Sequence, residues 1–220
     1  MLTASFINNN IPRLQLQDSV SKARQLINDY KLTHLPVVAE NKYLGLLSEE
    51  DLLDVEEDKL PIEVIQQYLL MAAVKEDVHF LNAVNLSNQF ETNVVPVLSK
   101  ENDYLGVITA ADLMKVMGEF SGASAIGGII VLEMPAIQFA ISEISRIVES
   151  NDCTILHMNT TLNDTTGMLM VTLHINKKDI NAVVANFERY DYIVQYAFGT
   201  EQHGNTLEDN YRHLMNYLDL

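Results

Sequence analysis

The sequence predicts an α+β fold in two parts, and three observations predict it. A stretch of about 60 residues occurs twice in the first half, and each copy reads helix, strand, turn, strand, helix. A small-residue run, "SGASAIGG" from Ser121 to Gly128, then breaks that pattern and has the composition of a linker. The segment beyond it reads βαββαβ, the order of a small antiparallel sheet with both helices on one face. With 220 residues, 48% of them apolar, the chain can bury cores for both parts.

The repeat is legible residue by residue. "HLPVVAENKYLGLLSEEDLL" (34–53) returns as "VVPVLSKENDYLGVITAADLM" (94–114). Pro36 matches Pro96 and Val37 matches Val97. With one residue added in the second turn, Tyr43-Leu44-Gly45 matches Tyr104-Leu105-Gly106, Ser48 matches Thr109, and Asp51-Leu52 matches Asp112-Leu113. Upstream, Ala23 matches Ala83 and Asn28 matches Asn88. Asp18 is placed to cap a first helix whose apolar face is Val20, Ala23, Ile27 and Tyr30. The second copy offers Phe80, Ala83, Val84 and Phe90 for the same face. "HLPVV" and "VVPVL" read as short apolar strands, "ENK" and "SKEND" as polar turns, and "YLGLL" and "YLGVI" as return strands that each run into a helix. Pro61 opens a short helix between the copies, "PIEVIQQYLL".

After the linker, "GIIVLEM" reads as a strand. Ile137, Ala140, Ile141, Ile144, Ile147 and Val148 fall at helical spacing. "TILHMNT" and "GMLMVTLHI" form strands around "TLNDTT", "KDINAVVANFERY" a second helix, and "DYIVQYAF" a fourth strand. Leu207, Tyr211, Leu214 and Leu218 place one apolar stripe on a tail helix that docks on its own protein. The expected divisions are residues 1–60 and 61–120 for the two copies, 121–128 for the linker, 129–199 for the βαββαβ part and 200–220 for the tail.

Charge and composition narrow the function. The formal net charge is −16, and residues 1–118 and 119–220 each carry −8. Nucleic acid and an anionic membrane surface are repelled by such a chain, so neither is an expected partner. The single cysteine, Cys153, excludes an intramolecular disulfide framework and a multi-cysteine metal site. No signal peptide is expected from "MLTASFINNNIPRL", and the longest apolar stretch, near "AIGGIIVL", is too short to span a bilayer, so the expectation is a cytoplasmic protein.

The chemistry-bearing motif is Gly-x-x-Ser/Thr-x-x-Asp at each strand-to-helix junction. One account is structural. The hydroxyl caps the helix, the acid three residues on bonds back to the cap's own amide, and the glycine permits close backbone packing. The other account is functional. A helix N-terminus suits phosphate, the hydroxyl adds a donor, and the aspartate one turn along accepts hydrogen bonds from a ribose diol. The glycine then leaves room for a ligand, and a purine lies against neighbouring strand residues.

The doubled "hPhh…Gly-h-h-Ser/Thr-x-x-Asp-Leu" pattern, over roughly residues 1–118, resembles a tandem pair of CBS domains, the Bateman module. The resemblance implies two units joined through their sheets with two clefts that often take adenosine-containing ligands. It implies phosphate at Thr109 and Ser48, ribose at Asp112 and Asp51, and a base pocket near Val94 and Val95 or their counterparts His34 and Leu35. AMP, ADP, ATP and S-adenosylmethionine are the regulatory ligands implied, with no required cofactor. The segment 126–199 is similar to an ACT domain, and the combination resembles acetoin-utilisation-type bacterial regulatory proteins; this implies a homodimer. ACT domains often carry a glycine after the first strand, whereas "LEMPAI" has none, so self-association is expected there rather than an amino-acid site.

The two clefts differ. Glu49 and Glu50 lie between Ser48 and Asp51, whereas two alanines lie between Thr109 and Asp112. A carboxylate about 6 Å from a phosphate charge costs roughly 3 kcal/mol at an effective dielectric near 20, against about 8 kcal/mol for micromolar binding. The second cleft is therefore the expected site. The seven acids between Ser48 and Lys59 read as a solvated face, with a weak divalent-cation site as the sharper alternative. No catalytic constellation is found: the histidines have no metalloprotease spacing, "SGASA" lacks the closing glycine of a nucleophile elbow, and Cys153 has no base nearby. The expected function is a regulatory ligand-binding protein and not an enzyme. The alternative is a ligand-free interaction scaffold with degenerate clefts.

Overall fold

A computed structural model describes residues 1–199 of the chain. The tail helix expected over 200–220 lies outside the described residues. Contacts divide the chain into two units between Met117 and Gly118.

The first unit holds the repeats. Copy one runs α1 (Val20–Tyr30), β1 (His34–Ala39), β2 (Lys42–Ser48) and α2 (Glu49–Leu53). Copy two runs β3 (Val74–Lys75), α3 (Leu81–Gln89), β4 (Val94–Leu98), β5 (Tyr104–Thr109) and α4 (Ala110–Phe120). The cap of α1 is Ser19, which accepts from the Lys22 amide at 3.2 Å. Asp18 instead accepts from the Gln15 amide at 2.9 Å and pairs with Lys22 at 2.7 Å. The segment after Pro61 is a 3-10 helix, Ile62–Tyr68, broken at Ile65, rather than an α-helix.

The register repeats as closely as the residues do. β1 and β2 are antiparallel with a bulge between Val37 and Val38; β4 and β5 are antiparallel with a bulge at the equivalent Val97 and Leu98. Leu14 pairs in parallel with Val37, and Val74 with Val97, sixty positions on in both cases. Each hairpin is completed by the chain leading into the other copy: Asn8 pairs with Val107 of β5, and Leu70 with Leu46 of β2. The two copies are thereby interlocked.

This exchange explains the two glycines. Gly45 has φ +147° and Gly106 has φ +145°, a region that strains any side chain. A Cβ on Gly45 would meet Leu69 Cβ at 2.8 Å, and one on Gly106 would meet Ile7 Cγ2 at 2.5 Å and Asn9 Oδ1 at 2.7 Å. The space beside each glycine belongs to a lead-in segment of the chain itself, not to a ligand.

Equivalent residues of the two copies meet each other. Thr33 and Asn93 exchange hydrogen bonds: Asn93 Oδ1 accepts from the Thr33 amide at 2.9 Å, and Thr33 Oγ1 accepts from the Asn93 amide at 3.1 Å. Lys42 pairs with Asp103 at 2.5 Å, and the rings of Tyr43 and Tyr104 stack at 6.5 Å. Such a pattern of like positions in contact is that of a pseudo-twofold. Below it, Leu35, Val37, Leu46, Leu47 and Val94 fill one core, and Phe80, Ala83, Val95, Val97 and Ile108 a second.

The second unit is a four-stranded antiparallel sheet of order β7-β8-β6-β9, with β6 (Gly128–Pro135), β7 (Ile155–Leu162), β8 (Met168–Ile175) and β9 (Ile193–Phe198). Helices α5 (Ile141–Glu149) and α6 (Asn181–Arg189) share a core with alternate residues of β6 and β8, including Ile130, Leu132, Val171 and Leu173. This is the ferredoxin-like arrangement of βαββαβ. Cys153 is buried in that core. The stripe expected to begin at Ile137 begins later: Ala136–Gln138 is a 3-10 turn, Ala140 is extended, and Ile137 is 95% exposed. β6 runs on to Pro135 and the 3-10 turn follows it directly, so no α-helical turn begins at Ile137.

Candidate functional site

Each cleft of the first unit opens where a return strand becomes a helix. In copy two, Thr109 ends β5, opposite Val94 in the register. Its hydroxyl oxygen accepts from the Asp112 amide at 3.1 Å, which caps α4. Asp112 Oδ2 accepts from the Thr109 hydroxyl at 2.6 Å and from the Thr109 amide at 3.3 Å. The capping box is thus closed in both directions. A third donor, Asn8 Nδ2, reaches the same Oδ2 at 3.3 Å. Burial raises the Asp112 pKa, but the bonds from Thr109 and Asn8 and the charge of Lys115 outweigh it, so the carboxyl lies below its ordinary value.

Asp112 faces a cavity of about 520 Å³ whose other lining residues are all from one lead-in segment, residues 5–10. Three of these are asparagines, Asn8, Asn9 and Asn10, whose amides offer both donors and acceptors. Asp112 is the one acidic residue in that lining. Thr109 stands behind Asp112 and is not itself part of the cavity wall.

In copy one, Ser48 faces His34 in the register, and its hydroxyl accepts from the Asp51 amide at 2.9 Å and donates to Asp51 Oδ2 at 2.5 Å. The cavity here, about 590 Å³, brings together His34, Ser48, Glu49, Glu50, Asp51, Tyr68, Leu70, Phe90 and Glu91, among others. Four carboxylates therefore surround it, including Glu91 from the opposite copy. Burial pulls the His34 pKa down, against the opposing charges of Asp51 and Glu50. Glu49 and Glu50 do line the cavity, which sets this cleft against a phosphate.

The structure brings Ser48, Asp51 and His34 to one cavity and Asp112, with Thr109 behind it, to the other. Leu35, Val94 and Val95 are fully buried core residues and line neither. The asparagines at 8–10, Tyr68 and Glu91 escaped the sequence reading. The "NNN" run was a visible signal, but Asn8 and its counterpart Leu70 share no chemistry, so alignment of the copies did not expose them.

Among the described residues no group of three or more His, Cys, Asp or Glu side chains is placed to hold a metal ion. No helix among them is long and apolar enough to cross a membrane.

The CBS domain family model matches residues 4–58. That match falls on the first copy, and the first unit has the fold of a CBS domain pair. Among curated proteins, inosine-5'-monophosphate dehydrogenase from Korarchaeum cryptofilum is 25% identical over 109 residues, covering 50% of this chain and 23% of that enzyme. The same enzyme from Methanocaldococcus jannaschii is 28% identical over 99 residues, covering 44% of this chain and 20% of the enzyme. The chain spans less than a quarter of the length of these relatives. Among solved structures, a CBS domain pair/ACT domain protein from Thermotoga maritima shares the fold at TM-score 0.50 and 17% identity, over 55% of this chain and 98% of that one.

Proposed function

We propose that the chain is a regulatory sensor whose CBS pair takes an adenine nucleotide or related adenosyl ligand (AMP, ADP, ATP or S-adenosylmethionine) in the cleft at Asp112. The observation that carries this reading is the contrast between the clefts. The cavity at Asp112 has no second acid in its wall, whereas the cavity at Asp51 has four carboxylates. Asp112 accepts from the ribose, the asparagine amides serve the base or phosphate oxygens, and Lys115 offsets part of the ligand's charge. The wall of the cleft comes from a segment that also completes the β4–β5 hairpin, so a ligand held there favours one arrangement of the interlocked copies over others. The second unit pairs copies of the chain into a homodimer, for which the outer strands of its sheet, β7 and β9, offer edges that no other strand pairs among the described residues.

Calorimetric titration of ligand-free protein with AMP, ADP, ATP and S-adenosylmethionine tests the sensor reading. Heat is expected with at least one ligand and is lost on Asp112→Ala; no heat with any of the four rejects it. Sedimentation of the full chain tests pairing, and a monomer at all concentrations rejects that part.

One observation favours a second reading, a scaffold with empty clefts. Both hydroxyls already serve as helix caps bonded to their own aspartates. On that reading Thr109→Ala with Asp112→Ala costs about 1 kcal/mol of stability and no nucleotide shifts the melting temperature of either protein.

A further inference from the structure

Asn8 is held on every side that the chain offers. Its amide and carbonyl pair with Val107 at 2.6 and 3.4 Å. Its side-chain Oδ1 accepts from the Asn10 amide at 2.9 Å, which fixes the orientation of the carboxamide. The remaining end, Nδ2, donates to Asp112 Oδ2. Three donors then converge on Oδ2, and Oδ1 of Asp112 has no protein partner among the described residues. In the other cleft the equivalent lead-in residue is Leu70, which cannot donate from its side chain, and among the described residues the Asp51 carboxylate accepts a side-chain hydrogen bond from Ser48 alone. The two aspartates match in sequence but are held differently.

We infer that Asn8 is a positioning residue: its amide pins one oxygen of Asp112, leaves the other as the acceptor open to the cavity, and thereby sets a preference for ligands bearing free ribose hydroxyls. The geometry supports this in two ways. A carboxylate with one oxygen occupied by three donors cannot rotate without breaking all of them. An Asn side chain fixed by its own turn supplies its donor without having to be ordered when the ligand arrives. Lys115, outside the cavity wall, is the charged group that bears on Asp112, and among the described residues no titratable side chain besides Asp112 lines the cavity.

The ligand preference rests on the nucleotide reading above; the hold on Asp112 does not, and the test separates them. In the full chain with labelled aspartate carboxyls, Asn8→Leu, which copies the other cleft, is expected to raise the titration midpoint of Asp112 because a donor to the ionised form is lost. Asn8→Asp keeps the acceptor for the Asn10 amide but sets a second carboxylate against the first, and is expected to raise the midpoint further. An unchanged midpoint in both variants overturns the proposal. In the second arm, affinities for AMP and 2′,3′-dideoxy-AMP are compared. The wild-type preference for AMP is expected to fall about tenfold in Asn8→Leu, the equivalent of one hydrogen bond to a charged group; an equal preference in both proteins overturns the specificity role. If wild type takes up neither nucleotide, the nucleotide reading is lost, and the carboxyl titration alone then decides for or against the pinned aspartate.

Discussion

Gly106 and Gly45 are the residues on which the pair of repeats closes. Each lets a lead-in strand lie against a return strand, and each has a positive φ that only glycine adopts without strain. Gly106→Ala is expected to cost at least about 1–3 kcal/mol from backbone strain alone, with a further loss as Ile7 and Asn9 are displaced. Urea denaturation reads this as a lower midpoint at an unchanged slope; an unaltered midpoint contradicts it. His34 gives a second expectation. Its folded pKa is lowered by burial, despite Asp51 and Glu50, so the unfolded chain takes up the proton first as pH falls. Stability is therefore full above the ordinary histidine value of 6.5 and declines as pH falls from there through the lowered pKa. Replacing His34 with valine, the residue at the equivalent position 94, removes this decline, which pH-dependent melting measures. Asp112 acts at lower pH in the same sense: with its folded pKa below the ordinary value, its contribution is present above that value and is lost as pH falls through the folded one.

Secondary elements were legible where two signals agreed, and misjudged where one stood alone. The hairpins β1–β2 and β4–β5 combined apolar runs, polar turns and a repeat, and they sit where the sequence put them. The capping boxes at Ser48 and Thr109 were readable because their chemistry is local. The start of α5 rested on spacing alone, and Ile137 fell outside it because β6 extends to Pro135. The cap of α1 was misplaced by one residue because aspartate and serine both qualify, and Asp18 is taken by Gln15 and Lys22. The lead-in segments were not readable at all. Residues 5–10 carry no apolar period, and their partner strand lies about a hundred positions downstream, as with Asn8 and Val107. Their attachment gives a further prediction. Thr3 is fully buried and donates to the Lys75 carbonyl at 2.5 Å. Thr3→Val, which keeps the shape and deletes the donor, is expected to lower stability by about 1–3 kcal/mol. No change in the denaturation midpoint contradicts the view that this segment is part of the second repeat's core.

Across the whole molecule, charge and doubling set the conditions for any ligand. The net charge of −16 opposes an incoming phosphate at long range, while the cavity at Asp112, with one carboxylate against four, presents less short-range opposition than the other cleft. Affinity for nucleotides is therefore expected to rise as salt increases from about 0.01 M to 0.15 M, over which the screening length shortens from about 30 to 8 Å. ATP, with the larger charge, gains more than AMP; calorimetry at both salt concentrations measures this, and weaker binding at the higher salt contradicts it. Duplication gave two clefts from one plan, and the substitutions at Glu49, Glu50 and Leu70 against Ala110, Ala111 and Asn8 made them unequal. The measurement that bears most directly on this account is a crystal structure of the full chain grown with AMP. It is expected to show the nucleotide in the cleft of residues 5–10, with a ribose hydroxyl on Asp112 Oδ1 and the cavity at Asp51 free of it. AMP at Asp51 instead, or in neither cleft at saturating concentration, contradicts the account.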